Sequence, residues 1–165
     1  VFQALQSGTI DAAEFVGPWN DFAFGFHQVA KNYYAPGVGE PSSTEEVVMN
    51  ASAYNALPDD LKLIVKTVAM SAAVETTMDY EINNAKTVRL LTSEHGVTVR
   101  TVPQAIVDGL AAATGELVQE LHADSDPVVR EVIGSYAKYR NLMAEYAPYA
   151  FAGEMNARTQ PFAEG

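Results

Sequence analysis

Glu14 lies near the end of an alternating run, Ile10-Asp11-Ala12-Ala13-Glu14-Phe15-Val16, which turns through Gly17-Pro18 into Trp19-Asn20-Asp21. Alternation puts Ile10, Ala12, Glu14 and Val16 on one face and Asp11, Ala13 and Phe15 on the other, the pattern of a strand. Gly17 permits a tight turn, and Pro18 suits the first position of a helix. A carboxylate at a strand end beside a helix start is where open α/β proteins hold ligands. The free N–H groups of the helix start suit an anion and Glu14 suits a cation, so together they can hold a metal carboxylate. The plainer reading of Glu14 is a solvated acid on the rim.

A second carboxylate, Glu40, lies in a loop loosened by Pro36, Gly37 and Gly39. Two carboxylates can act as an acid and base pair, as in glycosidases. No nucleophile, phosphate loop or Ser-His-Asp set accompanies them, and His27, His95 and His122 are scattered along the chain. The expectation is therefore a binding protein and not an enzyme.

Three stretches resemble one family. Ala4 to Pro18, Tyr33-Tyr34-Ala35-Pro36-Gly37-Val38-Gly39-Glu40-Pro41, and Met49-Asn50 through Asp60-Leu61 are similar, in that order, to the solute-binding proteins of tripartite ATP-independent periplasmic (TRAP) transporters. The likeness is to the branch that binds 2-oxo acids and related monocarboxylates. It covers roughly the first 60 residues well, and beyond them only the helical character matches. The resemblance implies the C-terminal portion of a two-lobed periplasmic-binding-protein fold, α/β and helix-rich, with one long helix spanning both lobes. A leader and a first lobe would precede Val1. It implies metal ligands at Glu14, the Phe15 carbonyl and Glu40, and ligand contacts at Phe15, Trp19 and Asn20. Oxygen donors of this kind suit Na+ or Ca2+. It further implies an exported, periplasmic receptor that hands a small carboxylate such as pyruvate to a membrane permease.

Two departures from the branch bear on the pocket. Phe15 stands where the branch usually carries Trp, and Val38-Gly39 stand where it carries Trp-His. Both changes point to a roomier or more apolar pocket. The Arg that clamps the substrate carboxylate in the family would lie before this segment. None of Arg89, Arg100, Arg130, Arg140 or Arg158 falls in a matching motif.

Composition sets wide bounds. The 165 residues suffice for one domain, at 48% hydrophobic and 19% charged. A net charge of −11 argues against nucleic acid and anionic lipid as partners. The absence of cysteine removes disulfides and thiolate chemistry.

The elements that must position these residues divide the chain into 1–57 (site strands and helix), 58–96 (long helix), 97–122 (strand and helix) and 126–150 (C-terminal helix). Residues 1–8 read as a helix end closed by Gly8, and Pro18 to about Lys31 as a helix. Tyr33-Tyr34 starts an extended piece, and Glu45 to Asn50 reads as a strand. Pro58-Asp59-Asp60 opens the long helix, whose stripe begins Leu61, Ile64, Val65, Val68, Ala69 and Ala72 and which stops near Gly96. At 1.5 Å per residue it would be on the order of 50 Å long, more than the width of one small lobe. Val97 to Val102 alternates like a strand, and Pro103 starts a further helix. Asp126-Pro127 opens the last one, along which Tyr136, Tyr139, Met143, Tyr146 and Tyr149 recur. That stripe suits intramolecular packing or an interface. With the resemblance it raises a homodimer through the C-terminal helix, and by itself it supports a helical interaction module without a small ligand. Gln160 to Gly165 reads as a loose tail.

Overall fold

The parallel pairing of two short strands sets the topology of the first half. The computed structural model describes residues 1–39 and 46–159. Strand β1 (Asn32–Ala35) pairs with β2 (Thr98–Thr101), with Tyr33 opposite Val99 and Tyr34 opposite Arg100. The ladder extends through Thr98 N–H to the Lys31 carbonyl (2.8 Å) and Val102 N–H to the Ala35 carbonyl (3.2 Å). Parallel strands cannot be joined by a tight turn. The crossover contains helix α3 (Ala51–Asn55) and the 36-residue helix α4 (Asp59–Glu94), about 54 Å long.

Helices α1 (Phe2–Gln6) and α2 (Pro18–Ala23) precede β1. Helix α2 is shorter than the sequence predicts. Gly25 adopts φ +78°, a left-handed conformation that ends the helical run, and a 3-10 turn follows at Phe26–Gln28. Gly8 (φ +70°) and Gly96 (φ +64°) close the chain after α1 and α4 in the same way. At the far end of α4 the Lys31 ammonium donates to the His95 carbonyl (3.0 Å), satisfying one of the carbonyls a helix end leaves open.

Two predicted strands are absent. Residues 10–16 are extended in part but join no ladder, because the only sheet among the described residues is β1–β2. An alternating sequence becomes a strand only where a neighbour takes its N–H and C=O groups. Residues 46–50 are likewise outside the sheet, and Val47 and Val48 are 66% and 79% exposed. Asn50 instead caps α3, its side chain accepting from the Ala53 N–H at 3.2 Å. Glu45 lies outside the described residues.

Burial is concentrated where α4 meets β2. Leu91 (2% exposed), Val97 and Thr87 are buried there. The N-terminal part of α4 differs: Leu61, Ile64 and Val68 of the predicted stripe are exposed, with Val65 and Ala69 half-buried. Val65 and Ala69 share a groove with Val47, Met49 and Tyr54.

The chain divides into two compact units, residues 1–107 and 108–165. The second contains most of α5 (Gln104–His122), α6 (Pro127–Tyr146), a 3-10 turn (Ala147–Tyr149) and α7 (Phe151–Arg158). Asp126 caps α6, accepting from the Val128 N–H at 2.8 Å. Tyr136, Tyr139 and Tyr146 are exposed on α6, and Met143 is half-buried. Tyr149 sits beyond Pro148 in the 3-10 turn, so the predicted stripe is not one continuous helical face. Among the described residues no helix is long and apolar enough to cross a membrane.

Candidate functional site

The segment bearing Glu14 and Phe15 is held from its C-terminal side. Asp21, in the first turn of α2, folds its carboxylate back onto the turn before the helix. Oδ1 accepts from the Gly17 N–H (3.4 Å). Oδ2 accepts from the Tyr33 hydroxyl at 2.8 Å, which ties the turn to β1. Burial raises the Asp21 pKa above its ordinary value, while the bonds from Tyr33 and Gly17 act in the opposite direction. Burial and the Asp21 carboxylate also raise the Tyr33 phenol, which stays protonated as the donor.

Helix α2 has no side chain at its own N-cap, since that residue is Gly17. Asn84 of α4 supplies the missing acceptor: its Oδ1 takes the Trp19 N–H at 2.9 Å. The Trp19 ring meets the Tyr80 ring edge-on at 5.3 Å between centroids. The start of α2 is thus docked on α4, and the Trp19 N–H that sequence reasoning offers to an anion is already engaged.

Glu14 is exposed. Among the described residues no backbone N–H donates to the Phe15 carbonyl. The Phe15 ring packs edge-on against Phe24 (5.2 Å) and Phe26 (5.1 Å), which fixes the residue while leaving 37% of it exposed. Among the described residues the buried Asn20 Oδ1 has no hydrogen-bond partner. A carboxylate, a free main-chain carbonyl and an amide oxygen are hard donors, which fits Na+ or Ca2+ and not a soft metal. Among the described residues no three His, Cys, Asp or Glu side chains converge. Glu40, the third expected ligand, lies outside the described residues.

Sequence reasoning missed four positioning residues. Asp21 carried a signal, an acid in the first turn of a helix that follows Gly-Pro. Tyr33, Tyr80 and Asn84 carried almost none, apart from the pair Asn83-Asn84 inside a long helix, where Asn is a poor former. Two histidines read as scattered are neighbours: the His27 and His95 rings lie 4.5 Å apart, with Phe22 stacked on His27 at 4.7 Å. A separate open groove of about 460 Å³, lined by Val47, Met49, Tyr54, Val65 and Lys66 among others, includes none of the candidate site residues.

The helix-rich α/β arrangement, with one long helix crossing between two parallel strands, is similar to that of solved TRAP periplasmic solute-binding proteins. Residues 1–124 match the family described as DctP, bacterial extracellular solute-binding protein, family 7, and the chain belongs to that family. It is 31% identical over 141 residues to the monocarboxylate 2-oxoacid-binding periplasmic protein of Nostoc sp., covering 85% of this chain and 38% of that protein. A TRAP periplasmic solute-binding protein from Pseudoalteromonas atlantica with bound sodium and pyruvate has a similar fold (TM-score 0.80, 29% identity, 94% of this chain and 47% of that one). So does one from Colwellia psychrerythraea with bound calcium and pyruvate (TM-score 0.81, 31% identity, 95% and 48%). A third, from Bordetella bronchiseptica, is a mixed-occupancy dimer with copurified calcium and picolinate in one active site and the other apo (TM-score 0.82, 28% identity, 96% and 48%). The chain spans about half the length of these solved relatives, or less for the Nostoc protein.

Proposed function

We propose that this chain is the cation-bearing portion of a periplasmic TRAP receptor. It captures a small carboxylate of the 2-oxo acid type, together with Na+ or Ca2+, and delivers it to a membrane permease. The observation that carries this reading is the Phe15 carbonyl, free of hydrogen bonds from the described residues and next to the exposed Glu14 carboxylate. The bound sodium, calcium and pyruvate of the solved relatives support the same chemistry.

The cation would supply positive charge beside Glu14, where a substrate carboxylate would otherwise be repelled. Glu14, the Phe15 carbonyl and Glu40 are its proposed ligands. Trp19 and Asn20 line the substrate side, and Asn20 brings a buried amide with a spare oxygen. Phe15 in place of Trp and Val38-Gly39 in place of Trp-His leave room for a carboxylate larger than the smallest 2-oxo acid. A guanidinium clamp would come from a segment outside this chain.

The proposed dimer rests on the exposed Tyr136, Tyr139 and Tyr146 of α6 and on the dimeric Bordetella relative. The same exposed tyrosines favour a second reading, a helical interaction module without a small ligand. Trp19 fluorescence separates the two. In the longest form of the protein that its gene encodes, pyruvate and longer 2-oxo acids should give a saturable change that requires Na+ or Ca2+. Glu14→Gln should abolish the cation requirement together with binding. A flat titration of a folded protein would sink the receptor reading, and strict preference for pyruvate would sink the roomier pocket.

A further inference from the structure

We infer that Tyr80 and Asn84 of α4 are positioning residues for Trp19, and that Tyr80 sets from behind how long a carboxylate the site admits. The inference rests on the receptor reading above, with Trp19 on the substrate side, and goes beyond it to two residues that touch neither cation nor substrate.

Tyr80, Asn84, Thr87 and Leu91 recur at spacings of 4, 3 and 4, which places them on one face of α4. Thr87 and Leu91 are the buried residues of that helix, so this is the face α4 turns toward the rest of its unit. Leu91 anchors the helix where it meets β2. Tyr80 and Asn84 follow from that anchor along one continuous helix, about 6 Å apart along its axis.

Both reach Trp19. Asn84 Oδ1 accepts the Trp19 N–H at 2.9 Å, and the Tyr80 ring meets the indole edge-on, with 5.3 Å between centroids and 71° between planes. One contact holds the main chain and the other holds the ring. The site turn itself backs onto the same amide, since a Cβ added at Gly17 would stand 3.5 Å from Asn84 Oδ1. Trp19 keeps 38% of its surface exposed, and that part is open to a ligand.

An aromatic wall limits a ligand's length by where it stops. The indole cannot recede toward α4 while Tyr80 occupies the space behind it, because packed side chains do not share volume. Shortening Tyr80 lets the indole lean back, so a long ligand gains room and a short one loses contact. Asn84 acts on the main chain instead. Its loss loosens the start of α2, and with it Trp19 and Asn20 together, whatever the ligand's length.

The test is calorimetric titration of the longest form of the protein with pyruvate and with 2-oxohexanoate, at saturating calcium. Tyr80→Ala should raise the Kd for pyruvate about two- to tenfold, the scale of one lost ring pair, and that for 2-oxohexanoate by less. The ratio of the two Kd values is the readout that a merely structural role would not move, because partial unfolding weakens both acids by one factor. Tyr80→Phe, which keeps the ring, should recover the wild-type ratio. Asn84→Ala should raise both Kd values by a common factor, and Asn84→Asp, which keeps the acceptor, should recover them. If Tyr80→Ala does not fold, Tyr80→Leu carries the test. A wild-type ratio in the folded Tyr80→Ala and Tyr80→Leu proteins, or wild-type affinities in Asn84→Ala, would overturn the positioning role and leave the receptor reading standing. Failure of the folded wild type to bind either acid would overturn the receptor reading, and the inference with it.

Discussion

The Trp19 backbone N–H donates to Asn84 Oδ1 at 2.9 Å, so a residue 65 positions later caps the helix that follows the site turn. Gly17 has no side chain to do so, and α4 provides the acceptor from outside. Removing it leaves an N–H of the first turn open. Asn84→Ala should destabilise the protein by about 1 kcal/mol, the usual loss for a helix cap. Asn84→Asp, which keeps the acceptor and adds favourable charge at a helix N-terminus, should restore it. Urea unfolding measures both; equal midpoints for all three proteins would show the cap to be idle.

Tyr80 covers the other side of the same residue. Tyr80→Leu removes the edge-on ring at 5.3 Å and should lower stability by about 0.5–1.5 kcal/mol. Trp19 is the only tryptophan, so its emission should move to longer wavelength as water reaches the indole. An unchanged spectrum would place no weight on this contact.

Leu91 is 2% exposed where α4 meets β2. Leu91→Ala should cost about 2–5 kcal/mol, combining lost transfer energy with the cavity left behind. Such a loss is a large share of a typical domain's stability and should show as a lower melting temperature. A loss under about 0.5 kcal/mol, the size usual at surface sites, would contradict the burial.

His27 makes stability depend on pH. Burial first, then the neighbouring His95 and Lys31 charges, lower its pKa below the ordinary 6.5, and its buried Nδ1 has no partner among the described residues. The folded state therefore holds fewer protons than the unfolded chain just below pH 6.5. The stability His27 contributes is full above that pH and is lost as pH falls through the lowered value. His27→Phe should flatten the wild-type decline between pH 7.5 and 5 in urea unfolding. Parallel curves for the two proteins would refute it.

Cation removal tests the proposed ligand set through stability. With pyruvate present, calcium at about 100 times its Kd should stabilise the longest form by about 2.7 kcal/mol, and chelation should reverse this. Glu14→Gln should melt at the same temperature with and without calcium. Because Glu14 is exposed, its stability without calcium should stay close to wild type. A calcium-dependent melting temperature in Glu14→Gln would remove Glu14 from the ligands.

Local signals in the chain determined a good deal. Pro58-Asp59-Asp60 and Gly96 bracket α4, Asp126-Pro127 opens α6, and the motifs around Glu14, Tyr33 and Asn50 pointed to the family. These rest on capping, turn chemistry and periodicity, which act over a few residues. Only the tertiary structure decided the rest. Alternation in 10–16 could not say whether a neighbouring strand exists, and none does among the described residues. The hydrophobic residues after Pro58 could not reveal that Leu61, Ile64 and Val68 are exposed. Asp21 meets Tyr33 across 12 residues, and Trp19 with Asn84 and His27 with His95 come together only when α4 crosses between β1 and β2. Hydrogen bonds and ring contacts form by distance in space, and spacing along the chain leaves no periodic trace of them.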